Sequence, residues 1–239
     1  GKTTLLHHLL RSVGDDVRVG LVSNAQGGRG ELLRWVLLSL GLPAAADATY
    51  VDLFGRFQEH LIAEYAQGRR VILIFDEAQN LGREALEELR MFTNINSGKD
   101  ELLQLVLVGQ PELRDLVRGP GMSQFAQRVV SSFHLPAMEP AQVRDYIGHR
   151  LLVAGATAPI FSQAAAELVH EASRGVPRLV NQLSDLAMVY AFTKSERSVS
   201  RLTVQQVLDD GVFFGGGAAR APAQGGQDRG PRARTGTED

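Results

Sequence analysis

The chain has no cysteine. Disulfides and cysteine-ligated zinc are therefore excluded, and a reducing compartment is permitted. It also lacks a charge excess of either sign, with 25 Lys and Arg against 27 Asp and Glu and a formal net charge of -2. The basic surplus that marks a nucleic-acid binder is missing, so nucleic acid is not an expected partner, although a local patch can hide inside a neutral total. Histidine is scarce, at six residues. Only His7 and His8 are neighbours, and adjacent helix positions point apart, which leaves no histidine metal site to expect. No apolar run reaches the ~18–20 residues of a membrane span, so no transmembrane segment is expected.

What is present fits a soluble globular protein: 44% apolar and 22% charged residues over 239 positions. That length suffices for one large or two small domains with a real core. Apolar runs alternate with helical patterns, which predicts an α/β fold built on a parallel sheet. Thr3 to Ser12, Glu31 to Leu40, Val51 to Gln67 and Arg83 to about Asn94 read as helices, the second closed by Gly41 and Pro43. Val17 to Ser23, Val71 to Phe75 and Leu102 to Val108 read as strands, the last two continuous enough to lie buried in a parallel sheet. Trp35, with Leu32, Leu33 and Val36, reads as a core-facing stripe, as do Phe54 and Phe57. His134 reads as a strand end.

Past Pro136 the pattern becomes helical, at Ala141 to Val153, Ser162 to Ser173, Pro177 to Phe192 and Thr203 to Asp209. The expected organisation is an α/β core over 1–137, a small all-α domain over 138–210, and a Gly/Ala/Pro/Arg-rich tail over 211–239 expected to be disordered.

Two short motifs carry the chemistry. The chain opens on Gly1-Lys2-Thr3-Thr4, directly before an amphipathic helix. These residues read as the closing part of a phosphate-binding P-loop, in which backbone N–H groups at a helix N-terminus surround a phosphate. In such a loop Lys2 meets the β- and γ-phosphates and the Thr3 hydroxyl ligates Mg²⁺. A four-residue match alone is weak, since chance can produce it. The second motif strengthens it: the strand Val71-Ile72-Leu73-Ile74-Phe75 ends in Asp76-Glu77. Two carboxylates leaving a buried strand are costly unless water or metal meets them. Asp76 is the expected magnesium partner, and Glu77 the residue that orients the attacking water. The bland alternative is that Asp76 merely caps the next helix. ATP and Mg²⁺ are the expected ligands. Because the opening of a P-loop would precede Gly1, the sequence reads as a piece of a longer protein. By itself it is expected to bind ATP poorly or to fold badly: in the fold that the resemblance described next implies, the strand leading into the P-loop lies beside the strands Val71 to Phe75 and Leu102 to Val108, and its loss would expose their edges.

The run Val71 to Asn80 (V-I-L-I-F-D-E-A-Q-N) resembles the corresponding segment of the AAA ATPases of the general secretion pathway protein A type. The resemblance continues through Leu86 to Met91, Asn94-Ile95-Asn96, Leu105 to Leu113, Gln124 to Arg128, Tyr146 to Leu151 and Gly175 to Asn181, covering roughly residues 1–210. Related ATPases of exosortase and exopolysaccharide loci share this string of blocks. The resemblance implies a three-layer P-loop core with a helical lid, assembly into a homo-oligomer, and service to an envelope secretion or polysaccharide-export system. It also implies a cytoplasmic location, peripheral at the inner membrane.

The same resemblance gives three further residues roles. Gln110 matches the sensor position that contacts the γ-phosphate or the water, the alternative being a turn residue before Pro111. Arg128 matches the finger that reaches a neighbouring subunit's nucleotide, the alternative being an ordinary surface arginine. Arg178, just after Gly175-Val176-Pro177, matches the lid arginine; a cation at a helix start opposes the dipole unless an anion is near. Ser23-Asn24-Ala25-Gln26 leaves a strand and is placed to approach a nucleotide, with no assigned role. Two rivals share the architecture: a DNA-linked AAA regulator and a non-catalytic nucleotide-binding scaffold. The first calls for a basic stripe or a further folded domain after the lid, and the second for loss of Lys2 or Glu77.

Overall fold

A computed structural model describes residues 1–23, 30–97 and 99–215. Asn24, Ala25 and Gln26, and the tail from 216 onward, lie outside the described residues. The chain divides into two compact units, Gly1–Leu135 and Pro136–Asp239.

The first unit is α/β. Helix α1 (Lys2–Ser12) leads to β1 (Val17–Ser23), α2 (Glu31–Ser39), α3 (Tyr50–Ala66) and β2 (Arg70–Asp76). A short 3-10 turn (Ala78–Asn80), α4 (Arg83–Phe92), the two-residue strands β3 (Asn96–Ser97) and β4 (Asp100–Glu101), β5 (Leu103–Leu107), α5 (Pro111–Arg118) and α6 (Ser123–Ala126) complete it. The sheet order is β1-β2-β5, all parallel. Crossovers of this length between parallel strands need covering helices, which α2, α3 and α4 supply.

Strand β2 is central because both its faces are apolar. Val71, Leu73 and Phe75 point into the main core, where Phe57, Phe92, Leu33, Leu37, Leu61, Leu86 and Leu89 are fully buried. Gly20 of β1 leaves room for its neighbours, since a Cβ there would lie 2.6 Å from Ser39 Oγ and 2.7 Å from Leu73 Cδ2. Helix α3 starts on a capping box: Thr49 Oγ1 accepts from Asp52 N–H, and Asp52 Oδ2 accepts from Thr49 N–H at 3.0 Å.

Several local readings need correction. Trp35 is not a core residue: it is 49% exposed, while Leu32, Leu33, Val36 and Leu37 of the same helix are buried. Four apolar positions already fill the inward stripe of α2, and Trp35 falls beside it. In α1 only Leu6 is buried, with Leu5 and Leu9 exposed. His134 ends no strand, because 129–139 carries no strand or helix. Val130 and Phe133 stand almost fully exposed there. Helices α5 and α6 were not expected from the pattern; α5 has no fully buried residue and packs on the core only through Leu113, Leu116 and Val117.

The second unit is helical: α7 (Pro140–Val153), α8 (Gln163–Ser173), α9 (Pro177–Thr193) and α10 (Arg201–Asp209). Its core is Val143, Ile147, Ala165, Ala166, Leu168, Val169, Val180, Leu183, Ala187, Ala191, Val199, Val204, Val207 and Phe213. Phe213 therefore packs into this core, past the position where composition alone starts the tail. Among the described residues no helix is long and apolar enough to cross a membrane.

Candidate functional site

In a parallel sheet the carboxyl ends of the strands open on one side, where ligands of α/β proteins bind. The register places Ser23 opposite Asp76, and Phe75 opposite Leu107. The exits of β1, β2 and β5 therefore lie side by side. The pairing carries on past β5: Val108 N–H donates to Phe75 O at 2.8 Å, and Ala78 N–H to Val108 O at 2.9 Å. Glu77 is held between these bonds with φ 52 and ψ 38, in the left-handed region. A side chain with a Cβ enters that region only when its surroundings impose it, at a cost of about 1–3 kcal/mol. Asp76 Oδ1 accepts the Glu77 N–H at 2.9 Å and helps to impose it.

Two amides meet the Glu77 carboxylate. Gln79 Nε2 donates to Oε2 at 2.5 Å, and Gln110 Nε2 to the same oxygen at 3.5 Å. The Gln79 bond is the largest cause holding the Glu77 carboxyl below the usual carboxylate range, followed by the Gln110 bond, with the Lys2 charge adding to both. Partial burial works in the opposite direction. Lys2, the Glu77 carboxylate at the strand end and the Gln110 amide thus share one neighbourhood. Gln110 is the N-cap of α5, with Pro111 at the first helical position.

Gly1 is the N-cap of α1, and Leu5 N–H returns to Gly1 O at 2.9 Å. The first turn holds no acidic residue and Lys2 opposes the helix dipole, so α1 begins with its N–H groups and a cation facing the same end. Lys2 is half-buried, whereas Thr3 and Thr4 are exposed and free to meet a ligand. Thr3 and Asp76 offer oxygen donors only, which suits a hard cation such as Mg²⁺. Among the described residues no three His, Cys, Asp or Glu side chains form a metal cage. A cation here would complete its shell from phosphate and water, the usual magnesium arrangement.

Arg128 is exposed just past α6, and its Nη2 donates to Asn94 Oδ1 at 2.8 Å, beyond the end of α4. Arg178 is exposed at the second position of α9, in the second unit. The turn before it is tightly specified: a Cβ on Gly175 would lie 1.9 Å from Met138 O, and Gly175 O accepts Met138 N–H at 2.9 Å. Residue-type reasoning overlooked Gln79 and Asn94. Gln79 lies in the quoted run V-I-L-I-F-D-E-A-Q-N, but only the folded turn shows where its amide points.

Comparisons with known proteins bear on the family and the fold. Residues 1–117 match the family described as an AAA domain. The chain is 34% identical over 223 residues to general secretion pathway protein A of Aeromonas hydrophila, across 90% of this chain and 41% of that protein. It thus spans about two-fifths of that relative's length. Among solved structures it resembles the ORC2 protein of Aeropyrum pernix in its ADPNP–ADP complexes, at 20% identity and a TM-score of 0.64 over 88% of this chain and 58% of the other. It also resembles Cdc6p of Pyrobaculum aerophilum, at 17% identity and a TM-score of 0.68 over 90% and 58%. At such identities the two structures speak for the fold alone.

Proposed function

We propose that this chain, which belongs to the AAA family through its relation to general secretion pathway protein A, binds ATP with Mg²⁺ and hydrolyses it. The observation that carries the reading is the Glu77 carboxylate at the β2 exit, gripped by the Gln79 and Gln110 amides, which with the Lys2 charge hold it below the usual carboxylate range. An ionised carboxylate accepts a hydrogen bond from water and can aim its oxygen at a phosphorus atom.

In this reading the backbone of Gly1 to Thr4 and the Lys2 ammonium hold the phosphates, with Lys2 as a point charge on the β- and γ-oxygens. Thr3 and Asp76 hold the metal, which when bound neutralises charge developing on the phosphate oxygens. Glu77 orients the attacking water, and Gln110 contacts the water or the γ-phosphate. Arg128, exposed and steadied by Asn94, completes the site of a neighbouring subunit, so the working unit is a homo-oligomer. Arg178 brings the helical unit to the nucleotide as a lid. Turnover then drives or times an envelope secretion or polysaccharide-export assembly from the cytoplasmic side of the inner membrane; relation to a secretion protein supports that setting.

The test is steady-state phosphate release beside ATP binding, for the parent, Lys2→Ala and Glu77→Gln. Lys2→Ala should lose both. Glu77→Gln should keep binding and lose turnover by about 10²–10⁴-fold, the range of a positioned acid–base group. Full turnover in Glu77→Gln would remove that residue from the chemistry.

A further inference from the structure

Gln79 links two residues that the proposed chemistry uses, the Glu77 side chain and the Gln110 backbone, and that chemistry gives it no task. Its Nε2 donates to Glu77 Oε2 at 2.5 Å, and its Oε1 accepts the Gln110 backbone N–H at 3.0 Å. A side-chain amide has one acceptor oxygen and one donor nitrogen, so both ends of this one are engaged. The surroundings are shaped for it. The turn that carries Gln79 is anchored by Ala78 N–H on Val108 O. Residue 109 is glycine, and a Cβ there would lie 2.9 Å from Gln79 Oε1, 2.9 Å from Leu113 Cδ2 and 3.2 Å from Gln79 N. Such a contact is tighter than side-chain packing tolerates, so the missing side chain is what lets the amide bridge the two strand exits.

We propose that Gln79 is a positioning residue that couples the Glu77 carboxylate to the backbone of Gln110, so that the β2 and β5 exits move as one unit. The Gln110 side chain, at 3.5 Å, is the weaker of the two holds on Glu77 and the first to leave for a phosphate oxygen. Gln79 then keeps one carboxylate oxygen engaged and leaves the other to water. The catalytic consequence rests on the ATPase reading; the mechanical link does not.

Two measurements on the full-length protein separate these. The first is hydrogen exchange at the residue-110 backbone N–H without nucleotide, in a Gln110→Ala background that removes the direct side-chain contact. Gln79→Leu should speed that exchange about 10-fold or more. Glu77→Asn keeps a residue tolerant of the left-handed backbone but withdraws the distant oxygen, and should speed exchange about threefold or more. Exchange unchanged in Glu77→Asn would overturn the link, whatever the fate of the ATPase reading.

The second is turnover in the Gln110 parent. Gln79→Leu and Gly109→Ala should each lower kcat about 10-fold, with the KM for ATP and nucleotide affinity within about twofold. The double variant should fall well short of the product of the two losses, because both disturb the Gln79 amide, the Gly109→Ala methyl meeting Leu113 besides. Losses that multiply, or that fall on KM and melting temperature instead, would reduce Gln79 to a packing residue. If Glu77→Gln retains turnover, the ATPase role of Glu77 fails, while the exchange result still decides the link.

Discussion

In the first unit the buried set is large and partly aromatic: Phe57, Phe75 and Phe92 stand among leucines, and the Phe57 and Phe92 rings meet edge-on at 5.2 Å. In the second unit it is small: Ala165, Ala166, Ala187 and Ala191 with valines and two leucines, and Phe213 as its one buried aromatic among the described residues. Bulky residues fill the broad gap between a sheet and its helices, whereas alanines let helices approach closely. The difference extends to the charged side chains. Asp76 and Glu77 sit at the end of a hydrogen-bonded strand, fixed by backbone bonds on both sides. Arg178 rests on a helix start that follows a glycine turn. One unit presets geometry, and the other presents a charge on a closely packed bundle.

The sharpest way to break this contrast is Phe75→Ala. Removing a fully buried phenylalanine costs about 3–5 kcal/mol, and a melting scan should show an early transition confined to the first unit. A single shared transition in parent and variant would mean that the two cores do not stand independently. Arg178→Ala tests the other side: turnover should fall about 10- to 100-fold, as for loss of a bond to a charged group, with melting unchanged. Ala187→Leu probes the small-residue core itself. Overpacking it should cost about 1–3 kcal/mol, read from the urea midpoint, whereas a neutral result would show slack between the helices.

The smallest effect concerns pH. Glu64 accepts from Arg69 Nε at 2.5 Å and lies 3.4 Å from Arg18 Nε, and the Arg69 bond is the main cause pulling its carboxyl below the usual range. A depressed carboxyl stabilises the fold above its unfolded value of about 4.3, and that contribution fades as pH falls through the lower folded value. Glu64→Gln should therefore cost ~1 kcal/mol near neutrality. Parent and variant midpoints should converge in acid.

The sheet was legible in the sequence because its strands are continuous apolar runs with clear ends. Val17–Ser23 was expected as it stands, and Arg70–Asp76 within one residue at each end. The helices of the second unit were legible as helical patterns past Pro136, with Ser162 and Pro177 at two of the expected starts; the last, expected from Thr203, begins at Arg201, where Ser200 accepts a first-turn N–H. Helix α5 was missed because its apolar residues are only partly covered and its pattern is short. Trp35 was misplaced because periodicity gives a stripe's direction and not its width. Asp76, Glu77, Lys2 and Gln110 were named from motif and resemblance. The grip of Gln79 on Glu77 was not readable, since it depends on a left-handed turn and on a glycine thirty residues downstream.

The backbone at Glu77 has a consequence for how such a protein adapts. A left-handed residue with a Cβ costs roughly 1–2 kcal/mol that glycine would not incur. Selection for heat tolerance alone would therefore push position 77 toward glycine or asparagine, and away from the carboxylate. A library screened only for survival at high temperature should accumulate those replacements, whereas one screened for growth that needs turnover should retain glutamate.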